Sequence, residues 1–376
     1  MKRAVWLWLL LVLTLGLRSV AGGLYKQDAP TCPVRITDTV WHDAARDRDV
    51  PVRIYMPVMS GQNSSGLPLV VFSHGLGGSG QMYGYFGKAM AERGFVVIAP
   101  THHGSDTAAL GEWAKKNGFG KKDKNGDGWL RTSISDPENL KNRPGDISFV
   151  IDRALQEPSL RDIVDVNRIG VAGHSFGAYT AMAMGGLTVE LEGKKISFRD
   201  PRVKAVLPMS PEGAGVMGIG NDSWNDFAVP VLFLTGTNDY GSGGRAASWR
   251  REGFDHVKGV DSYLFTIAGA THMTFGGGGA SVSGEGSGDS GVGGWLRAKI
   301  RDRVREKSAE KSGGMDKDVE EHVVLVKAYG VAFFDAYLNG KAGAKEWMKN
   351  YAAEKHEECA AEFRGGREPG GMESNR

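Results

Sequence analysis

The sequence predicts an α/β fold, with a mostly parallel central sheet, helices on both of its faces and a lid-like insertion. Short apolar segments, typical of buried strands, alternate along the chain with segments of helical periodicity. A Gly-x-Ser-x-Gly pentapeptide at residues 173–177 follows one of these strands and precedes a helix. The chain has 376 residues, 41% of them apolar, and a formal net charge of +2. It can therefore bury one large core, and its charge gives no reason to expect a nucleic-acid partner.

The first 21 residues have the pattern of a cleaved signal peptide. Lys2 and Arg3 supply positive charge, and residues 4–17 are almost entirely apolar. Small residues at 19–21 suit a signal peptidase, so we expect cleavage after Ala21 and export to the periplasm or out of the cell. The apolar segment has about 14 residues, whereas a membrane span needs roughly 20, which makes an uncleaved anchor the alternative. We expect no stable membrane span after cleavage.

The first part of the domain is predicted to form four strands and one helix. Val34–Val40 and Val52–Tyr55 are apolar or alternating, which is typical of an antiparallel pair. Leu69–Phe72 is continuously apolar, as in a buried parallel strand, and Phe95–Ala99 has the same character. Between these two strands, Gln81–Arg93 has a helical pattern.

The middle of the chain is predicted to contain an insertion and then the strand that leads to the pentapeptide. Residues 101–142 are polar and glycine-rich, and we expect an irregular, lid-like insertion there. A helix is expected to begin at Pro144 and to continue through Leu155, because its apolar residues have helical spacing. Arg168–Ala172 is the next strand, and Ala178–Met184 is a helix of small residues.

The last part of the domain is predicted to add three buried strands, at residues 203–207, 231–234 and 263–267. Residues 276–294 are mostly glycine and serine and predict a mobile loop. The last long helix is expected at Val319–Leu338. We therefore expect a single domain at residues 34–355, followed by a charged tail at 356–376 that is disordered at its end.

Cys32 and Cys359 are the only cysteines of the chain. Export would permit a disulfide, and the two ends of a domain often lie close together. A bridge between these two residues and a pair of unpaired thiols are both compatible with the sequence.

The pentapeptide predicts a reactive serine at position 175. A sharp turn between strand and helix forces strained backbone angles on Ser175, and glycine at 173 and 177 removes the Cβ atoms that would clash. The hydroxyl would then stand above the sheet edge, with the N-terminus of the next helix pointing at it. An ordinary glycine turn is the alternative.

A serine hydroxyl needs a base to take its proton and a third group to orient that base. In hydrolases with this order of elements, the acid and then the histidine follow the serine. Asp239 lies in a turn after a buried strand, and we predict it as the acid; a local turn hydrogen bond is its alternative role. His272 stands at the end of the following strand, and we predict it as the base.

The negative charge that develops on the substrate oxygen needs hydrogen-bond donors already in place. The backbone amide of Phe176, directly after the serine, is one candidate. The glycine-rich loop at residues 73–78 offers the other, and we predict the amide of Leu76. In that loop His74 is expected to brace the backbone.

Three motifs together resemble one superfamily. Residues 72–78 (Phe-Ser-His-Gly-Leu-Gly-Gly), 93–97 (Arg-Gly-Phe-Val-Val) and 173–177 (Gly-His-Ser-Phe-Gly) are similar to those of α/β-hydrolases. Among its branches, the predicted dienelactone-hydrolase group and the platelet-activating-factor acetylhydrolase-like enzymes are the most similar, also at residues 146–152. The resemblance extends over about residues 35–275. It implies a serine hydrolase that needs no metal or cofactor and acts on a small or lipid-like ester or lactone.

The chain departs from this branch in two ways. Acetylhydrolase-like enzymes carry the acid after the strand that follows the serine, but here that strand ends in Met209-Ser210-Pro211-Glu212. Glu212 is therefore the alternative to Asp239. Dienelactone hydrolases use cysteine where this chain has Ser175, which favours general esterase chemistry.

Two further motifs could suggest a metal. Asp123–Gly128 matches the start of an EF-hand calcium loop, but position twelve is Ile134, so the bidentate ligand is missing and we favour a solvated turn. His102 and His103 stand together at the end of a strand. Because adjacent side chains diverge, we predict that they line the substrate pocket and do not bind a metal.

The sequence thus predicts an exported serine esterase that works through an acyl-enzyme. The alternatives are a peptidase or polyester hydrolase with the same triad, or a non-catalytic carbohydrate- or partner-binding relative. Acyl preference, leaving-group preference and oligomeric state stay open at this point.

Overall fold

The fold is described from a computed structural model, which covers residues 24–25, 31–59, 65–118, 128–277 and 318–366. The predicted signal peptide, all but the last residue of the sequence match to a calcium loop at 123–128, and nearly all of the predicted loop at 276–294 lie outside these residues. So does the last part of the charged tail, from residue 367 onwards.

Eleven strands are described. They are β1 (Val34–Asp43), β2 (Arg48–Pro57), β3 (Leu67–Ser73), β4 (Val96–Pro100), β5 (Val164–His174), β6 (Thr188–Leu191), β7 (Lys194–Ser197), β8 (Val203–Met209), β9 (Val231–Asn238), β10 (Ser262–Thr271) and β11 (Cys359–Arg364). Nine of them form one sheet in the order β1-β2-β4-β3-β5-β8-β9-β10-β11, and β6 and β7 form a separate hairpin.

The six central strands, from β4 to β10, are parallel. The outer strands β1, β2 and β11 pair antiparallel. β3 and β4 are buried along their whole length, which explains their continuous apolar sequences. The predicted α/β class with a mostly parallel sheet is confirmed.

Eight helices accompany the sheet in the described part of the chain. They are α1 (Gly84–Ala91), α2 (Thr107–Asn117), α3 (Trp129–Ser135), α4 (Pro137–Gln156), α5 (Phe176–Gly185), α6 (Glu252–His256), α7 (Val319–Tyr337) and α8 (Ala342–Ala353). Alternate residues of each central strand face opposite sides. One apolar cluster joins the sheet to α4 and α5, and a second joins it to α1, α7 and α8, so helices cover both faces.

Helix α4 begins seven residues before the predicted start at Pro144. Asp136 caps it, since its side chain accepts a hydrogen bond from the Glu138 amide, and Pro137 occupies the first turn. Pro144 lies inside the helix and cannot donate to the carbonyl of Leu140. The hydroxyl of Tyr179 donates to that carbonyl at 3.0 Å, so the proline leaves no buried acceptor unsatisfied there.

The predicted insertion at 101–142 is more regular than expected, because α2 and α3 lie within it. Asp106 caps α2 by accepting from the Ala109 amide. Neither helix has the strong apolar face that would have revealed it, since α2 buries no residue and α3 buries only Ser133.

The predicted tail also contains structure, because β11 at its start extends the sheet. Phe363 packs against Tyr263 of β10, with ring centroids 4.7 Å apart, and Cys359 is buried. The sheet therefore continues past the predicted domain boundary at residue 355. Cys359 and Cys32 are both free, so the disulfide that the sequence left open is absent.

Candidate active site

The pentapeptide forms a sharp turn between β5 and α5. Ser175 has φ 56° and ψ −119°, a conformation that is costly for a residue with a side chain. A Cβ at Gly173 would overlap the Gly177 carbonyl oxygen, and a Cβ at Gly177 would overlap the Ser73 carbonyl oxygen. Both glycines are therefore required by the close approach of the backbone. The turn leaves the side chain of Ser175 partly exposed at the C-terminal edge of the sheet.

The structure brings Ser175, His272 and Asp239 together. His272 Nε2 lies 3.0 Å from Ser175 Oγ, within hydrogen-bond distance. On the other side of the ring, His272 Nδ1 lies 3.3 Å from Asp239 Oδ1. The imidazole is 21% exposed, whereas the carboxylate is completely buried. These three residues have the spatial order of a nucleophile, a base and an orienting acid.

Asp239 is held in a dense set of donors. Thr235 donates to Oδ2 at 3.0 Å, while Ser210 and Arg250 donate to Oδ1 at 2.9 and 3.1 Å. Burial alone would raise the pKa of this carboxyl. The Arg250 charge and the hydrogen bonds of His272 and Ser210 outweigh burial, so the pKa of Asp239 lies well below its usual range and the group is ionised.

Ser210 and Arg250 complete the site, and the sequence did not single them out. Ser210 Oγ lies 2.6 Å from His272 Nδ1, closer than the Asp239 carboxylate. Arg250, in the 3-10 segment Ala247–Arg251, is 3% exposed and also donates to the carbonyls of Ser210, Pro211 and Tyr240. The signal for Ser210 was present, because it directly follows a strand end beside the serine turn. Arg250 had no recognisable motif.

Glu212, the alternative acid, lies behind Arg250. Its Oε1 is 3.7 Å from Arg250 Nη1, and among the described residues nothing bonds to its buried Oε2. Burial raises the pKa of Glu212. Of the two candidate acids, Asp239 is the one that reaches the ring of His272.

The predicted oxyanion donors are the amides of Phe176, in the serine turn, and of Leu76, in the loop after β3. Within the described part of the chain neither amide donates to a protein acceptor. The neighbouring backbone is fixed, because the Gly77 amide donates to the Ser105 carbonyl at 2.8 Å and the Gly78 amide to the Gly75 carbonyl at 3.1 Å. Two free donors on a fixed backbone are suited to an incoming oxyanion.

A buried set of ionisable side chains contacts this loop; we call His74, His102, Arg143 and Asp146 the bracing cluster. Arg143 donates to the His74 carbonyl, and its guanidinium also lies over the Phe176 ring at 4.4 Å. The His102 amide donates to His74 Nε2 at 2.9 Å. Arg143 thus contacts the parts of the chain that carry both predicted oxyanion donors.

His102 and His103, predicted to line the substrate pocket, have different environments. His102 has no exposed surface, and its ring nitrogens lie 2.9 Å from Asp146 Oδ2 and 3.0 Å from Ser73 Oγ. Because both ring nitrogens are engaged and the side chain is completely buried, His102 does not line the substrate pocket, contrary to the prediction. The side chain of His103 is 44% exposed and pairs with Asp106 at 3.1 Å.

His174, beside the serine, points away from it. Its Nδ1 lies 2.9 Å from the Tyr83 hydroxyl, and its Nε2 lies 2.9 Å from the His272 carbonyl. Burial, and the neighbouring His272, lower the pKa of His174 well below its usual value. A neutral His174 therefore links the turn to the loop that carries His272.

In the described ranges no group of three or more His, Cys, Asp or Glu side chains could hold a metal ion. Those ranges also contain no helix that is both long and apolar enough to span a bilayer.

Parts of the chain are similar in sequence to known proteins. The family model of platelet-activating factor acetylhydrolase, isoform II, matches residues 35–143. A platelet-activating factor acetylhydrolase of Cavia porcellus is 26% identical over 49% of this chain and 43% of its own length. Cutinase est1 of Thermobifida alba is 28% identical over 40% of this chain and 44% of its own length. Esterase YjfP of Escherichia coli is 27% identical over 44% of this chain and 53% of its own length.

The chain therefore spans about half the length of these relatives. A solved structure of a ferulic acid esterase from Streptomyces cinnamoneus superposes with a TM-score of 0.54 over 85% of this chain and 94% of that one, at 21% identity, which supports the fold. The sheet order and the serine turn are those of an α/β-hydrolase fold, and parts of the chain are similar in sequence to an acetylhydrolase, a cutinase and an esterase.

Proposed function

We propose that the protein is a serine hydrolase that cleaves carboxylic esters through an acyl-enzyme. The distance of 3.0 Å between His272 Nε2 and Ser175 Oγ carries this proposal. Three named relatives, an acetylhydrolase, a cutinase and an esterase, support an ester as the substrate.

In the proposed reaction His272 Nε2 takes the proton of Ser175 as the Oγ attacks the ester carbonyl carbon. The amides of Leu76 and Phe176 donate to the resulting oxyanion. The carbonyl re-forms as the bond to the alcohol breaks, and the imidazolium returns its proton to the departing alkoxide. Water, deprotonated by the same ring, then releases the acid and regenerates Ser175.

The substrate is proposed to be a small or lipid-like ester, with a lactone as a related possibility. The similarity to a cutinase favours polyesters as the second candidate. A panel of p-nitrophenyl esters of increasing acyl length, with a polyester film and a peptide substrate, separates these activities.

Ser175→Ala tests the proposal. We expect hydrolysis of p-nitrophenyl acetate to fall by about 10⁵-fold or more while the circular dichroism spectrum stays unchanged. Ser197→Ala, at an exposed residue of β7, is the matched control and should retain full activity. Activity of Ser175→Ala at the wild-type level would contradict the proposal.

Labelling by a fluorophosphonate separates an enzyme from a non-catalytic binding relative. We expect one adduct, on Ser175, in the wild type and none in Ser175→Ala. An unlabelled wild-type protein would favour a binding function.

We also infer that the protein is exported, from the charged and apolar pattern of residues 1–21. N-terminal sequencing of the protein recovered outside the cytoplasm should begin at Gly22. Recovery only from the cytoplasm, with Met1 retained, would contradict export.

A further inference from the structure

One hydroxyl stands between the base and the acid of the site. Ser210 Oγ lies 2.6 Å from His272 Nδ1 and 2.9 Å from Asp239 Oδ1. The direct distance from His272 Nδ1 to Asp239 Oδ1 is 3.3 Å, at the weak end of the hydrogen-bond range. The shortest polar route from the ring to the carboxylate therefore passes through Ser210.

When His272 Nδ1 carries the proton, the donors and acceptors along this route are satisfied in one direction. The ionised carboxylate of Asp239 only accepts, so the Ser210 hydroxyl donates its proton to it. The lone pairs of Ser210 Oγ are then available to accept from His272 Nδ1–H. That tautomer leaves Nε2 unprotonated and able to accept the proton of Ser175.

Arg250 fits the same arrangement. Its Nη2 lies 3.1 Å from His272 Nδ1, but a guanidinium only donates and a protonated Nδ1 cannot accept from it. Arg250 Nη2 instead donates to the Tyr240 carbonyl at 3.2 Å, and Nε donates to Asp239. The guanidinium neutralises the carboxylate and leaves Ser210 as the nearest group that can accept from the ring.

The backbone holds the Ser210 hydroxyl in place. Its amide donates to the Leu234 carbonyl at 2.7 Å, its carbonyl accepts from Arg250, and the residue has no exposed surface. Its φ of 50° is a left-handed conformation that residues with side chains rarely adopt. Such a conformation at a buried serine beside reacting groups indicates that the surrounding fold keeps the hydroxyl between His272 and Asp239 for the function of the site.

We propose that Ser210 is a positioning residue, through which Asp239 orients His272 and stabilises the imidazolium that forms during the reaction. This inference rests on the proposed ester hydrolysis and assigns a fourth side chain to it. The alternative is that Ser210 merely satisfies one oxygen of a buried carboxylate and has no effect on the ring.

The first test combines Ser210→Gly and Asp239→Asn, singly and together, with p-nitrophenyl acetate as substrate. Glycine removes the hydroxyl and suits the left-handed backbone, so the fold should be retained. We expect Ser210→Gly to lower kcat by up to about a hundredfold, because the His272 ring is then less well oriented to take the proton of Ser175. KM should be nearly unchanged, because Ser210 does not contribute to binding of the ester. The double variant should be no slower than Asp239→Asn alone, since both changes interrupt one route.

Asp47→Gly is the matched backbone control. Asp47 has φ 45°, its side chain is 99% exposed, and it lies in the turn between β1 and β2, so its kcat should equal that of the wild type. Melting temperatures of all variants separate loss of folding from loss of positioning.

The second test exchanges the two residues. Asp239→Ser alone should be nearly inactive, and adding Ser210→Asp returns one carboxylate and one hydroxyl to the site. Aspartate tolerates the left-handed conformation better than most residues. We expect the exchange to raise kcat at least tenfold above Asp239→Ser, because a side chain at position 210 reaches the ring directly. An exchange variant no faster than Asp239→Ser would contradict a route from the ring through position 210.

Two results would overturn the inference. One is a wild-type kcat in Ser210→Gly; the other is a double variant whose loss of kcat equals the product of the losses in the two single variants. Failure of the proposed function looks different, because wild-type protein would then neither hydrolyse the ester nor react with a fluorophosphonate.

Discussion

Two Asp–His pairs lie on either side of β5 in the sheet order, and only one of them reaches the serine. In the bracing cluster, His102 Nδ1 lies 2.9 Å from Asp146, and both side chains are completely buried. On the other side, His272 Nδ1 lies 3.3 Å from Asp239, and its ring is 21% exposed. The closer pair is thus the one with no access to Ser175.

The comparison teaches that the Asp–His distance alone does not identify a catalytic pair. What distinguishes His272 is a ring nitrogen directed at a nucleophile and some exposure to substrate. Each pair also has its own buried arginine, with different targets. Arg143 bonds to the loop that carries an oxyanion donor, whereas Arg250 bonds to the acid itself.

The largest expected difference between the two pairs is in catalysis. Asp239→Asn should lower kcat by on the order of 10⁴-fold, because the imidazole loses the partner that sets its tautomer. Asp146→Asn should change the kcat of the folded protein by less than about tenfold but lower the free energy of unfolding by roughly 3 kcal/mol, since Arg46 and Arg48 lose their common counter-ion. Steady-state kinetics and urea unfolding measure both effects.

The opposite pattern, with catalysis lost in Asp146→Asn and kept in Asp239→Asn, would contradict the proposed role of His272 and Asp239. It would assign that role to His102 and Asp146. Equal losses of kcat in the two variants would remove the distinction between the pairs.

Low pH should reduce the free energy of unfolding because of three buried histidines. Two of them, His74 and His102, belong to the bracing cluster, and His174 lies beside Ser175. Burial lowers the pKa of His102 to about 4, and it lowers the pKa values of His74 and His174 well below the usual value. Above pH 6.5 these rings are neutral in both states, so they contribute no pH dependence. Below pH 6.5 the unfolded chain gains protons that the folded chain does not, and stability falls as pH falls.

Each ring that stays neutral in the fold contributes up to about 1.4 kcal/mol per pH unit, so the three together give a slope of up to roughly 4 kcal/mol per unit below about pH 6. The carboxyl of Asp146, whose pKa is lowered to about 2, adds its own loss only below about pH 3.8. Urea unfolding at pH 7, 6 and 5 measures the slope. A free energy of unfolding that stays constant over this range would show that the rings take up protons in the fold as readily as in the unfolded chain, which contradicts the lowered pKa values.

The arginine of the bracing cluster should affect catalysis indirectly. Arg143→Met keeps most of the side-chain volume but removes the bonds to the His74 carbonyl and to Ser105 Oγ. The loop that carries Leu76 should then relax, and kcat should fall by roughly ten- to a hundredfold with little change in KM. Steady-state kinetics on p-nitrophenyl acetate measure kcat and KM separately.

A purely structural Arg143 would lower the melting temperature and leave kcat of the folded fraction unchanged. Lys204→Met, at an exposed residue of β8 that bonds only to a nearby carbonyl, is the control for loss of a positive charge.

Much of the candidate site was predictable because parallel strands end at one edge of the sheet. Ser175, Asp239 and His272 each follow a recognisable buried strand, and the order of these strands brings their ends together. The amides of Leu76 and Phe176 stay a prediction, which rests on their positions after β3 and after Ser175. The left-handed serine turn followed from its two glycines.

The residues that were missed depend on side-chain direction or on distant pairing. Ser210 directly follows β8, but only the fold shows that its Oγ lies between two other side chains. Arg250 reaches the acid from a separate 3-10 segment, which no spacing predicts. The strand β11 is short and partly charged, so its pairing with β10 had no clear pattern in the sequence.

The smallest expected effect concerns His103, which the sequence predicted beside the substrate. Its side chain is 44% exposed, and it lies at the same edge of the sheet as the glycine-rich loop at residues 73–78. It pairs with Asp106, the cap of α2. We expect His103→Ala to raise KM about threefold with kcat nearly unchanged, because a contact to bound ester is equally strong in the ground and transition states. His42→Ala, at an exposed histidine of β1 that also pairs with an aspartate, is the control. A fall in kcat at constant KM would contradict a contact with bound ester. It would show instead that His103 helps to hold the loop at residues 73–78 in place, as the bracing cluster does.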